Sequence, residues 1–429
     1  MRKTIAGMIS VFAVTWLLAG CSGEGAGGGN ERTSHSDDPN TTAQTLSVLT
    51  NRVDLIENGT MDRYAERFES EHPGVTVEFQ GFSNYTSDIM ARLSTLNMGD
   101  VLLLPANMLA EDLPRYFEPL PDEMFDSIRF DNYKAVNGIR YGIATGVATV
   151  GVVYNKKAFE RAGILELPTT LASFYEACEK LKKAGITPVF LNYGAQWPMK
   201  IWGEELVSYM AGDADYLNKM ASTDEPWAVN NPWGHSMQIV KTLIDRGYTE
   251  QELVKNQWEI SKRKIADGEA AMYLNGSWVI KQVIEAGALP DDIGFFPFPY
   301  DDGPKRFAPL APDWFAGVSK YSGSKELAKE WVEYFVTQSG YVEDEGFLPV
   351  KINSKSAVLP QLEQFLSFLP TFVESVPPSD RLLKIAEKAN VSLWSGEYIQ
   401  EWIASTDLKG TFKQYNERWR QARQQVEGS

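Results

Sequence analysis

The sequence predicts an α/β fold of two lobes, each containing a β-sheet flanked by helices. Short β-branched segments alternate with helical patterns of ten or more residues, which is typical of parallel sheets covered by helices on both faces. A glycine-punctuated extended stretch, 141–154, separates one strand–helix series from the next, and we expect the chain to cross between lobes there. With 429 residues, 43% of them hydrophobic, the chain is long enough for two packed cores.

The N-terminal segment has the features of an export signal. Arg2 and Lys3 precede a mostly apolar run, 5–18, which is followed by Leu18-Ala19-Gly20-Cys21. A short apolar core before a small-residue cleavage point indicates a secretory signal rather than a membrane span. The last four residues resemble the lipobox of bacterial lipoproteins. That resemblance implies removal of residues 1–20 and a lipid on Cys21, and two or more acyl chains anchor a protein stably.

Residues 22–43 are rich in Gly, Ser, Thr, Asn and Asp and show no apolar period, so we interpret them as a flexible tether. Later stretches do not reach 18 uninterrupted apolar residues. We therefore expect everything after the tether to lie on the extracellular face of the cell membrane.

The first lobe is predicted to begin with a βαβαβ unit. Strands are indicated at 45–50, 75–79 and 101–104, with helical patterns between them. Ligands bind at the carboxyl ends of strands in such sheets. The polar residues at those ends are Asn51, Asn84 and Asn107.

A second strand–helix unit follows the extended stretch. Thr169 or Thr170 can cap a helix whose apolar face includes Phe174 and Cys178, so we interpret Cys178 as a buried apolar residue rather than a reactive thiol. Helical patterns follow over 197–285, and the proline-containing segment 293–299 is interpreted as a second crossing. The predicted boundaries are 44–146 plus 297–340 for the first lobe and 147–296 plus 341–429 for the second.

Composition excludes several classes of function. With 41 basic and 57 acidic residues the net charge is −16, which argues against nucleic acid as a partner. Two cysteines and three histidines are too few for a Cys/His zinc cluster or a disulfide framework, so we expect no metal and no cofactor. Phosphate-binding loops, serine nucleophile elbows and HExxH helices are absent from the sequence, so we assign no catalytic residue.

Three stretches, taken in order, resemble the family 1 extracellular solute-binding proteins of ATP-driven importers, the group that includes maltodextrin-binding protein. They are 141–156, 265–278 and 317–331, and the likeness extends from about Thr45 to the end. The resemblance implies a two-lobed periplasmic-binding-protein-like fold (type II), closing on a ligand between the lobes. It implies a carbohydrate ligand and the transmembrane permease subunits of an ABC importer as partners. We expect a monomer, and a Gram-positive source is favoured.

Sugar sites pair flat aromatic rings with polar side chains, because sugars present apolar CH faces and hydroxyl rims. By family position, Trp278 resembles the aromatic residue that stacks on a sugar ring, and Asn51 resembles a polar contact. Asp313 and Trp314 follow the second crossing. The full set of candidate ligand-binding residues is Asn51, Asn84, Asn107, Trp197, Trp233, Trp278, Asp313, Trp314 and Trp394.

Two alternatives remain open at this stage. A secreted glycoside hydrolase needs two carboxylates facing one bond, and with 57 acidic residues, pairs such as Glu204-Glu205 arise by coincidence. A sugar-sensing lipoprotein that is not coupled to import would have the same sequence features. The loop 105–107 lacks the charged residues that grip maltodextrins in the best-known family member, so maltose is not assumed.

Overall fold

The computed structural model describes residues 44–82, 85–105, 108–352, 354 and 359–428. The predicted signal, the lipidation site Cys21 and the tether lie outside the described residues, as do Asn84 and Asn107. Among the helices of the described part, none is long and apolar enough to cross a membrane.

Strands and helices alternate through most of the chain. The strands are β1 (Gln44–Thr50), β2 (Val75–Gly81), β3 (Val101–Leu103), β4 (Ala135–Val136), β5 (Ile139–Arg140), β6 (Ile143–Ala144), β7 (Val147–Ala148), β8 (Val150–Asn155), β9 (Thr187–Val189), β10 (Ala270–Gly276), β11 (Ile293–Phe296), β12 (Phe307–Pro312), β13 (Phe315–Val318) and β14 (Thr371–Glu374). The helices are α1 (Val53–Glu57), α2 (Thr60–Glu71), α3 (Tyr85–Thr95), α4 (Leu113–Tyr116), α5 (Lys156–Arg161), α6 (Leu171–Lys183), α7 (Leu206–Met210), α8 (Tyr216–Lys219), α9 (Pro232–Asp245), α10 (Trp258–Ala266), α11 (Val279–Glu285), α12 (Lys325–Thr337), α13 (Tyr341–Asp344), α14 (Pro360–Ser367), α15 (Asp380–Lys388), α16 (Glu397–Ala404) and α17 (Leu408–Glu427).

The first lobe is built on a five-stranded sheet in the order β2-β1-β3-β13-β6. The strand β1 pairs in parallel with β2 and β3, as the βαβαβ prediction requires, while β13 is antiparallel to β3 and β6. The apolar face of α2 packs into this core, where Phe68 meets Trp331 of α12 edge to face with ring centroids 5.2 Å apart. The carboxyl ends of β1 and β3 therefore open on one edge of the sheet.

The second lobe is built on a four-stranded sheet in the order β11-β8-β10-β9. Only β10 and β9 are parallel, because β8 runs antiparallel to both of its neighbours. The sequence pattern had been interpreted as helical across β10, and that was wrong for these residues. All seven are buried, and a short continuous apolar run has no period that separates a buried strand from a buried helix.

Local capping explains where the second-lobe helices begin. Thr170 caps α6 in a reciprocal box with Ser173, which confirms one of the two predicted caps. Cys178 in that helix has no exposed surface, so its predicted place in the core is confirmed. Asn231 caps α9, with Pro232 at the first helical position.

A three-stranded sheet, β14-β12-β7, lies where the chain passes between the lobes. Near the two predicted crossings, Phe298 and Tyr300 pack in the second core, whereas Tyr341 and Phe347 pack in the first. Gly146 does not have a positive φ, but a Cβ there would lie 2.7 Å from the Phe347 ring, so glycine permits this close approach.

Candidate ligand-binding site

Three tryptophans of the second lobe, Trp197, Trp258 and Trp278, form a cluster. The ring centroids of Trp197 and Trp258 are 4.8 Å apart, and those of Trp197 and Trp278 are 5.8 Å apart. The Trp258 and Trp278 centroids are separated by 6.0 Å. Each of the three side chains is only partly buried, so this tryptophan cluster presents an apolar surface that a sugar ring can stack on.

Trp278 follows the buried strand β10, and the end of that strand fixes its position. A Cβ on Gly276 would lie 2.2 Å from the indole Nε1 of Trp278, so the ring folds back over a position that only glycine can occupy. The Ser277 N–H donates to the Thr149 carbonyl of the first crossing at 2.9 Å. The Trp278 side chain packs against buried residues of the first core and of a smaller, separate cluster that includes Tyr273 and Ile280.

Trp197 is placed by a strained turn that a buried carboxylate organises. Gln196 has φ 66° and Asn192 has φ 55°; for Gln196 this left-handed backbone is uncommon. The Glu250 carboxylate accepts hydrogen bonds from the Leu191 N–H at 2.7 Å and from the Tyr193 N–H at 3.2 Å. Burial raises the pKa of Glu250, and these backbone hydrogen bonds oppose the rise.

Trp258 is a residue that the sequence analysis missed. It begins α10 directly after a polar loop, and its N–H donates to the Asn256 side-chain carbonyl at 3.1 Å. Trp278, which we had selected, likewise stands at the start of a helix after a polar segment. A tryptophan at the start of a helix after a polar segment is therefore the sequence feature that could have identified Trp258.

The first lobe contributes a group of residues that we call the polar wall: Asn51, Asp313 and the adjacent Trp314. Asn51 lies at the bend directly after β1 and is partly buried. The Asp313 N–H donates to the Gly146 carbonyl at 2.9 Å, which fixes this loop to the first crossing. Trp314 packs edge to face on Tyr85, with ring centroids 5.3 Å apart. Asp313 and Trp314 thus adjoin the first crossing, and Asn51 follows a strand of the same lobe.

A buried charge network supports this wall. Arg52 Nη2 lies 2.5 Å from Glu345 Oε2 and 2.7 Å from Asp54 Oδ2. Burial raises the pKa of Glu345 to about 7, and the Arg52 charge opposes this rise. Burial likewise raises the pKa of Asp313 to about 6, against the positive charges of Arg52 and of Lys200. Arg52 belongs to the first lobe and Lys200 to the second, so cations of both lobes lower the pKa of Asp313.

Trp233 is not part of this surface, which corrects the sequence analysis. It has no exposed area and meets Trp402 edge to face with ring centroids 5.7 Å apart, inside the second core. Asn231 and Pro232 look like a polar loop in the sequence, but they start α9, and the first turn of that helix faces inward. Trp394, by contrast, is only partly buried and lies on a loop that touches the Trp197 turn.

The described residues do not include a group of three or more His, Cys, Asp or Glu side chains arranged to hold a metal ion. The candidate site residues described above offer aromatic surfaces, the Asn51 amide and the Asp313 carboxylate. Such groups bind neutral, hydroxyl-rich molecules by stacking and hydrogen bonding.

Residues 54–341 match the sequence profile of the bacterial extracellular solute-binding proteins. The chain belongs to this family. This solute-binding protein is 26% identical to the manno-oligosaccharide specific solute-binding protein BlMnBP2 of Bifidobacterium animalis subsp. lactis, solved in complex with mannotriose. The two superpose with a TM-score of 0.81 over 89% of this chain and 95% of that one. The fold class is thereby confirmed.

Curated relatives agree with the family assignment. The solute-binding protein is 23% identical to a putative binding protein of Brucella abortus, over 77% of this chain and 83% of the relative. It is 24% identical to the maltodextrin-binding protein MdxE of Bacillus subtilis, over 64% of each chain. These relatives are binding proteins by description.

Proposed function

We propose that this solute-binding protein captures an oligosaccharide between its lobes and delivers it to the permease of an ABC importer. The observation that carries the proposal is the tryptophan cluster of the second lobe next to the polar wall of the first. Trp197, Trp258 and Trp278 supply stacking surfaces for the CH faces of sugar rings. Asn51 and Asp313 supply acceptors and donors for hydroxyl groups.

The arrangement suits more than one sugar unit. The cluster offers three partly exposed rings, and Trp314 and Trp394 lie on separate loops around it. The nearby cations are already paired, as Arg52 is with Glu345 and Lys200 is with Glu205. A neutral oligosaccharide meets these requirements without leaving a buried charge unpaired.

The relatives support the same class of ligand. BlMnBP2 is solved with mannotriose, and MdxE is described as a maltodextrin-binding protein. A diacetylchitobiose-binding protein of Streptomyces coelicolor is 26% identical over half of this chain. Their ligands differ in linkage but share the oligosaccharide class. A ligand that bridges both lobes favours the closed form, which is the shape that a permease recognises.

We further propose that the protein binds and delivers the sugar without catalysing a reaction. We also propose that a lipid on Cys21 anchors it to the outer face of a cell membrane. The lipobox-like sequence before Cys21 and the glycine-rich tether support the anchor. The polar groups of the site are explained by binding alone. A sensing role without import predicts the same binding and differs only in the membrane partner.

A thermal-shift screen tests the proposal. Mannotriose, maltotriose, diacetylchitobiose and raffinose are added separately to the purified protein, with a tripeptide and spermidine as contrasting ligands. A ligand that binds only the folded state at a hundredfold excess over its Kd stabilises by about 2.7 kcal/mol. We expect a shift with one oligosaccharide, and chromatography should recover that sugar intact. Thermal shifts only with the tripeptide or spermidine would refute the proposal that the ligand is a sugar. Recovery of a shortened sugar would indicate a hydrolase.

A further inference from the structure

A buried glutamate lies in an irregular helical turn beside the Trp197 loop. Residues Ile201–Glu205 form a π-helical turn in which Gly203 departs from helical geometry, with φ −93° and ψ −111°. The turn carries Glu204 into the interior, where the residue is 1% exposed. Desolvating a carboxyl group is costly, and π-helical turns occur frequently at functional sites. The position therefore calls for a reason beyond packing.

The Glu204 carboxylate holds the backbone of a residue 190 positions away. Its Oε1 accepts a hydrogen bond from the Trp394 N–H at 2.5 Å. Trp394 has φ 61°, which is rare for a bulky residue and persists only where its surroundings enforce it. A charge-assisted hydrogen bond to this N–H is one such restraint.

The Trp394 loop is also fastened to the turn that carries Trp197. A Cβ on Gly396 would lie 2.2 Å from the Gln196 carbonyl oxygen, so the two backbones touch. The Gln400 amide donates to the Tyr193 carbonyl at 2.5 Å, and the Tyr193 hydroxyl donates to the Gln400 carbonyl at 3.0 Å. Fixing Trp394 therefore also fixes its position relative to Trp197.

The surroundings of Glu204 do not resemble those of a structural ion pair. The nearby Lys200 pairs with Glu205 at 3.5 Å. Burial raises the pKa of Glu204 to about 7, and the hydrogen bond from the Trp394 N–H opposes this rise. Within the described residues, Oε2 has no hydrogen-bond partner. An apolar side chain of similar size would serve packing as well or better.

We propose that Glu204 is a positioning residue of the ligand site, which orients Trp394 as a stacking surface beside the Trp197 turn. The inference rests on the proposed oligosaccharide function. The residue acts through the Trp394 backbone and does not itself contact the sugar.

A double-mutant cycle tests this role, with mannotriose as the probe and calorimetry as the assay. E204M keeps the side-chain volume and removes the acceptor, while E204Q keeps an acceptor oxygen. We expect E204M and W394A each to bind mannotriose roughly tenfold more weakly. The double variant E204M/W394A should bind no more weakly than W394A, and E204Q should bind like the wild type. E397A, which alters an exposed acid on the same segment, is the matched control and should leave affinity unchanged.

A ligand-free readout separates this inference from the proposed function. In protein labelled with 5-fluorotryptophan, the Trp394 ¹⁹F resonance is assigned with W394F. E204M should shift or broaden it, whereas E204Q and E397A should not. If the wild type binds no mannotriose, the proposed function is in question for that sugar, and the resonance alone decides the role of Glu204. An unmoved Trp394 resonance in E204M, or additive losses in the cycle, would overturn the inference.

Discussion

Replacing Arg52 with methionine should make the stability of the first lobe depend more steeply on pH. In the wild type, burial raises the pKa of Glu345 from 4.5 to about 7 although Arg52 lies 2.5 Å away. Without that cation, the carboxyl group becomes harder still to ionise. Because Glu345 is only 3% exposed, water cannot replace the lost partner.

The size of the effect follows from proton linkage. At about 1.4 kcal/mol per pKa unit, the raised pKa of Glu345 costs the folded wild type about 3 kcal/mol once the pH exceeds both values. In R52M, a Glu345 side chain that stays protonated in the folded state at pH 8.5 lowers the free energy of unfolding by about 5 kcal/mol. At that pH the variant should therefore be about 2 kcal/mol less stable than the wild type. At pH 5 both folded proteins hold Glu345 largely neutral, and this loss disappears. Stability therefore falls as pH rises, and in R52M the fall continues beyond pH 7.

Urea denaturation followed by circular dichroism, at pH 5 and pH 8.5 without sugar, measures the difference. The control is R140M, since Arg140 is paired with Asp122 and Asp131 at the surface. Exposed ion pairs contribute about 0–1 kcal/mol, so R140M should lose little at either pH. Equal losses for R52M at the two pH values would show that Glu345 is not the group that Arg52 stabilises.

Three further predictions concern single residues. W278A should weaken oligosaccharide binding by about 1–3 kcal/mol in calorimetry, and it should also lower the melting temperature of the free protein because Trp278 packs on the first core and on a second buried cluster. An unchanged affinity would remove it from the site. C21A should move the protein from the membrane fraction to the medium in cell fractionation, with sugar affinity unaltered; retention on the membrane would contradict the anchor. Cys178, buried and with a raised thiol pKa, should react with a thiol reagent only after denaturant is added, and rapid labelling of the native protein would contradict its place in the core.

The periodic parts of the fold could be predicted from the sequence. The apolar spacing of α2 and the alternation of β1, α2, β2, α3 and β3 predicted the parallel part of the first sheet, because α2 buries one face and exposes the other. The strand β10 could not be predicted in this way, since it is buried on both faces.

The candidate site was predicted in part. Trp197 and Trp278 contact each other in the structure, whereas Trp233 is buried in the first turn of α9. Whether a tryptophan after a polar segment faces a cleft or a core depends on which side of its helix packs, and that is a tertiary property. Glu204 shows the same limit, because its importance comes from a contact with a residue 190 positions away.

The interleaving of the two lobes also bears on how the protein is made. The hydroxyl of Tyr64 bonds the carboxylate of Asp344, 280 residues further along the chain, at 2.8 Å. The first lobe therefore cannot be completed until most of the chain has been synthesised, and such long-range contacts slow folding. If the proposed export signal delivers the chain to the membrane unfolded, this delay would keep the nascent chain competent for translocation. Circular permutants that bring these segments together should fold faster and be exported less efficiently.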